Sequence, residues 1–279
     1  MPSSHTPFAP APGPCRRGRR AAVRTLATVA LLSALPLSAQ ARLALSTAIN
    51  RAARFRALSQ RMAKAYAQLQ LGVLPERAGE VLAAARQQVR AGFEDLAPDA
   101  WPPEVARPLA DVRQHAGRLE ALAAQPPSKD AVAAVSAQSD RMLEAANTAT
   151  QALEKLAQAS TARIVNTAGR QRMLSQRLAK NYDLLALGVD ARAAREQMAA
   201  DAGEFRRALA GLEKAPVSTP AIRAELELGQ AQWVFFDAAL QRQPDARGLE
   251  AVATTSERLL EVMDRLTGLY EAALRDVLG

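Results

Sequence analysis

Cysteine is almost missing from this 279-residue chain. The one present, Cys15, lies in the first few residues. No disulfide framework, thiolate metal site or cysteine nucleophile can therefore be drawn for the rest of the chain. Histidine occurs twice, and no His/Asp/Glu cluster has the spacing of a metal site. No Ser/His/Asp set can be assembled, so the expectation is no catalytic residues, no metal, no cofactor and no enzyme. Aromatic residues make up only 4% of the chain, against 49% hydrophobic residues overall, and β-branched runs are few. That composition belongs to packed helices rather than to a sheet.

Long apolar runs are also scarce. Leu26 to Leu37 is apolar but too short to span a bilayer, and no later segment is longer. Before it stand Arg16, Arg17, Arg19, Arg20 and Arg24, and after it Ala39-Gln40-Ala41. A basic start, an apolar run and a small-residue site in that order read as a secretory signal peptide over 1–41. The expected location is therefore the periplasm. The leader holds five arginines and no acid, so its removal lowers the net charge from +8 to +3. So mild a balance on an exported chain points to no nucleic-acid partner.

What is present is a duplication. Ile49 to Val73 reads INRAARFRALSQRMAKAYAQLQLGV, and Val165 to Val189 reads VNTAGRQRMLSQRLAKNYDLLALGV. They align without a gap at an offset of 116, with 15 of 25 positions identical. Ser139–Glu144 also parallels Ser256–Glu261, so the repeat covers whole domains rather than the motif alone. Proline and glycine cut the rest into helix-sized pieces. Gly72 to Pro75 ends a helix of about 43–72, and Pro98, Pro102 and Pro103 end one of about 76–97. Pro126-Pro127 ends one of about 104–125, and a fourth opens near Ser128. In the second copy Gly188, then Pro216 and Pro220, then Pro244 with Gly248 close three helices, and a last runs from about 249 to 278. Proline is placed just outside helices in this reading. The expected fold is all-α, two tandem four-helix bundles forming a pseudo-dimer, over 42–159 and 160–279. No strong breaker separates the fourth helix from the fifth. Read locally they form one helix of about 60 residues and about 90 Å; a turn near Ala159–Thr161 is the alternative.

On a helical wheel Leu174, Leu178 and Leu185 share a stripe, with Tyr182 at its edge, that should face the bundle's own core. The opposite side carries Val165, Gly169, Arg172, Gln176 and Ala179, and in the first copy Ile49, Ala53, Arg56, Gln60 and Ala63. A solvated face would carry more charge, so this side should meet another motif helix. From Arg42 to Pro75, and again from Lys155 to Tyr182, there are six basic residues and no acid. Packing two such helices brings Arg56 and Arg172 together with like charge, and something anionic must compensate. A guanidinium fork matches a small planar oxyanion. The candidate binding residues are Arg56 and Arg172, with Gly169 allowing close approach and Asn50 and Asn166 as hydrogen-bonding partners. Carboxylates from neighbouring helices are the competing compensation, and helix capping is the competing role for the asparagines. Arg54/Arg170 and Arg61/Arg177 read as inter-helix ion-pair partners, and Tyr66 and Tyr182 as core-edge residues.

The run N-x-A-G-R-Q-R-M-L-S-Q-R-x-A-K-x-Y, Asn166 to Tyr182, resembles the start of the periplasmic sensor domain of type IV pili methyl-accepting chemotaxis transducers (PilJ-type). It is also similar to the P-box of NarX-type nitrate/nitrite sensors. The first copy departs from it at Ala53, Phe55 and Ala57. The resemblance implies a turn between the copies, and implies that Arg172, with Arg56 as its counterpart, contacts a nitrate-class anion. Two functions follow as expectations. One is a sensor-like binding protein for a small oxyanion, passing its signal to a separate membrane sensor or chemoreceptor. The other is a helical adaptor docking to a chemoreceptor or type IV pilus component and binding nothing small. A homodimer joined through the same basic stripe would satisfy the wheel equally.

Overall fold

A computed structural model describes the backbone of residues 36–97, 101–158 and 160–278, and their side chains apart from 36–44, 160–161, 274 and 276–278. The expected leader lies outside the described residues except for 36–41. The chain from Leu37 to Gly279 is one compact unit. The described residues form eight helices and no strand: α1 (Pro36–Leu71), α2 (Pro75–Leu96), α3 (Pro103–Ala123), α4 (Lys129–Ala157), α5 (Ser160–Leu187), α6 (Ala191–Glu213), α7 (Pro220–Leu240) and α8 (Ala246–Leu278). None of them is long and apolar enough to cross a membrane.

Local chemistry sets the ends. The Ser128 hydroxyl accepts from the Ala131 amide to cap α4, and Thr219 does the same for Ile222 in α7, with Pro220 at the first helical position. α1 and α5 stop alike. Gly72 (φ 68°) and Gly188 (φ 62°) take the left-handed conformation. The next amides, Val73 and Val189, then reach back to the Gln68 and Leu184 carbonyls. The long-helix reading of 128–187 does not hold. α4 ends at Ala157 with Gln158 at φ 50°, and α5 begins at Ser160. Proline is not everywhere outside the helices: Pro108 lies inside α3, where it removes one hydrogen bond near the helix start. One breaker reading needs correction. Gly248, read as closing the third helix, lies in the first turn of α8; glycine is needed there for packing, since a Cβ would collide with the Gln243 carbonyl and the Tyr182 hydroxyl.

One hydrophobic cluster draws mainly on α1–α4 and a second mainly on α5–α8. Phe55 of α1 stacks on Phe93 of α2 at 4.4 Å, and Phe205 of α6 on Trp233 of α7 at 4.3 Å. The halves exchange residues where the motif helices end: Val73 packs into the second cluster and Val189 into the first. Leu174, Leu178 and Tyr182 face the second cluster, as the wheel requires. Leu185 does not; it packs on the first, because the chain reversal at Gly188 carries the end of α5 beneath the other half. Tyr66 and Tyr182 are buried, and each donates its hydroxyl to the carbonyls of the loop before the fourth helix of its half: Gln125 and Pro126, Arg242 and Gln243.

The buried arginine seam

α1 and α5 are the most enclosed elements. Between 52 and 68 only Arg54 and Arg61 escape burial, and between 171 and 184 only Arg177. The two helices run parallel and touch at equivalent positions. A Cβ built on Gly169 would stand 3.5 Å from the Cβ of Ala53, its counterpart in the first copy. That place is also 3.0 Å from Nη2 of Arg172 and 3.7 Å from Nη2 of Arg56. The small residues at 53 and 169 thus let two guanidinium groups lie over one contact point.

Both arginines are 1% exposed. Each is held by the same set of contacts, exchanged between halves. Arg56 Nη2 donates to Asn166 Oδ1 at 2.7 Å, and Arg172 Nη2 to Asn50 Oδ1 at 2.8 Å. Each asparagine passes its own amide to an acid: Asn166 to Glu154 at 2.6 Å, Asn50 to Glu271 at 2.5 Å. All five residues singled out from the sequence therefore meet at one seam. Asn50 and Asn166 lie within α1 and α5 and cap nothing.

The symmetry fails at one atom pair. Arg172 Nη1 donates to Asp264 Oδ1 at 2.7 Å. The matching Nη1 of Arg56 finds the neutral amide oxygen of Asn147 at 3.2 Å. Asp264 also takes Arg54, so the second half is met by a carboxylate and the first is not. Among the described residues Arg56 makes no ion pair. Burial, then Arg170 and Arg172, push its guanidinium down to about 9, with Glu154 and Glu204 pulling the other way. Burial also lowers Arg172, against the pull of Asp264, whose carboxyl is held at about 2 despite its own desolvation.

The neighbouring basic residues are ion-paired as the sequence suggested, but asymmetrically. Arg170 and Arg177 pair with Glu204 and Asp201 of α6, within their own half. Arg54 and Arg61 cross to Asp264 and Glu257 of α8. Two buried lysines were not foreseen: Lys64 donates to Glu257 at 2.5 Å and Lys180 to Asp140 at 2.7 Å. Nor was Asp183, fully buried on α5, whose carboxylate oxygens have no hydrogen-bond partner. Burial pushes that carboxyl well up, while Lys64 and the facing Gln68 side chain draw it down.

A parallel pair of motif helices, each reaching an arginine to the other's asparagine, is the geometry to set against known proteins. Residues 156–257 match the family of type IV pili methyl-accepting chemotaxis transducer N-terminal domains, PilJ. No curated protein and no solved structure matches the chain. The PilJ match takes in α5, α6, α7 and the first part of α8, with Gly169, Arg172 and Asn166 inside it. The first copy of the motif lies outside it.

Proposed function

We propose that this chain is an exported, sensor-like binding protein that holds a small oxyanion of the nitrate/nitrite class between Arg56 and Arg172. In this reading it is two tandem PilJ/NarX-type four-helix bundles, 42–159 and 160–279, arranged as a pseudo-dimer. The second copy stands where a second subunit would in a dimer, and the anion lies between the two motif helices. The PilJ match supports a role related to chemotaxis transducers. The observation that carries the anion is Arg56: fully buried, beside a second buried arginine, and facing Asn147 where its counterpart faces Asp264. Leaving such a charge unpaired costs several kcal/mol, and a bound anion relieves it. Asn50 and Asn166 would rotate their carbonyl oxygens off the guanidinium groups and offer amide donors instead. The bound state would be passed to a separate membrane partner, a sensor or chemoreceptor.

The adaptor reading is favoured by one contact, Arg172 with Asp264, which compensates half of the seam without any ligand. Calorimetric titration with nitrate and nitrite separates the two. The sensor reading expects one anion per chain, and binding lost in both Arg56→Ala and Arg172→Ala. Wild-type protein that takes up neither anion, or variants that bind as well as wild type, leaves the adaptor.

A further inference from the structure

A groove of about 560 Å³ opens between α1, α2 and α8, inside the size range of small-ligand sites. The duplication explains why it is there. In the second half α6 is tied to α5 by Glu204 on Arg170 and Asp201 on Arg177, and Met173 is buried beside them. The first half carries Gln88, Ala85 and Ala57 at those three positions. With no acid at positions 85 and 88 of α2, Arg54 and Arg61 swing to α8, and the missing methionine leaves its space unfilled. Ala57 and Gln88 both line the groove.

Its chemistry is cationic and apolar. The lining acids are already engaged: Glu257 with Arg61 and Lys64, Asp264 with Arg54 and Arg172, Glu261 with Arg265. The cations at the rim are not. Arg258 is exposed and makes no ion pair among the described residues, and Arg77 has only a 3.6 Å contact with Glu80 in open solvent. Deeper in, Gln68 is buried on the groove wall with its side chain turned to Asp183. Leu58, Val81 and Leu260 give apolar surface. So does Leu74, which sits at φ 44° where the second half has Asp190. Leucine tolerates that conformation less well than aspartate. Its presence costs the turn something and adds an apolar wall.

We propose that this groove binds a small organic anion with an apolar body. The acidic head is drawn by Arg258 and Arg77, and the body lies against Leu58, Val81 and Leu260. The site borders the arginine seam through Arg172 but does not depend on an oxyanion there. Octanoate, phenyl phosphate and uncharged octanol titrated into the protein test it. We expect octanoate or phenyl phosphate to bind one per chain and octanol at least tenfold more weakly; which head group wins names the source chemistry. Arg258→Glu, at an exposed position, should weaken binding at least fivefold with Tm unchanged. Ala57→Met should refill the groove and abolish binding. Arg56→Ala should leave octanoate binding intact, so failure here and failure of the oxyanion site are told apart. No uptake of either anion by wild type, octanol binding as tightly as octanoate, or binding that survives both Arg258→Glu and Ala57→Met overturns the proposal.

Discussion

Replacing Asn147 with aspartate makes the first half of the seam like the second. The new carboxylate would face Arg56 as Asp264 faces Arg172, where the contact is 2.7 Å. The size of the effect can be read from Asp264, whose carboxyl is lowered from 3.8 to about 2 in spite of burial. At 1.36 kcal/mol per pKa unit this is about 2.4 kcal/mol. That shift is shared between Arg172 and Arg54, and the Asp264 side chain is 38% exposed, so with one arginine and solvent screening about 1 kcal/mol is the realistic gain. Position 147 is also half-buried, which keeps the desolvation cost of the new charge small. For a protein of this size 1 kcal/mol raises Tm by about 2–4 °C. The same carboxylate occupies the electrostatic vacancy an oxyanion would fill, so nitrate affinity should fall at least tenfold. Differential scanning calorimetry with and without nitrate reads both. A Tm that stays level or drops, with nitrate affinity intact, would refute the argument that Arg56 is the uncompensated charge.

Acid should weaken the fold in a defined window. Glu257, held at about 2 mainly by Lys64 and Arg61 against its own burial, and Asp264, also at about 2, both lie below their ordinary values. Their contribution, about 3 kcal/mol for Glu257, is complete above pH 4.5 and lost as pH falls towards 2; urea midpoints that stay level over that range would contradict it. Asp183 has the opposite sign. Its raised carboxyl contributes stability below about pH 4 that is lost as pH rises, so Asp183→Asn should hold or raise Tm at pH 7 and change little at pH 3. A clear fall in Tm at pH 7 would mean that Asp183 is an ionised partner of Lys64. Gly248→Ala forces a methyl group against the Gln243 carbonyl and the Tyr182 hydroxyl, and should cost about 1–3 kcal/mol in urea unfolding; an unaffected midpoint would show that the loop yields freely.

The sequence made the helices legible because their ends are local events: Gly72 and Gly188 in the left-handed conformation, the Ser128 cap, Pro75 and Pro220 at helix starts. The meeting of Arg56, Arg172, Gly169, Asn50 and Asn166 was legible because the repeat is gapless there and equivalent positions must face each other across a pseudo-twofold. The acids were not: Asp264 and Glu271 lie on α8, far away in sequence, Glu154 lies just outside the acid-free stretch on α4, and all three are one residue off the motif's register. The offset is 116 in the motif but 117 between Ser139 and Ser256. Carrying that second offset on to Asn147 and Asp264 would have exposed the asymmetry. Leu185 was misread because a wheel assumes one core per helix, and α5 ends beneath the other one.

The arginine seam is tested most directly by crystals soaked in bromate, a pyramidal trioxo anion with nitrate's charge whose bromine scatters anomalously. The account predicts one bromine peak per chain, within hydrogen-bond reach of the Nη2 atoms of both Arg56 and Arg172, with Asn50 and Asn166 turned towards it. A seam without a peak, its guanidinium groups still on the two asparagine carbonyl oxygens, would contradict it.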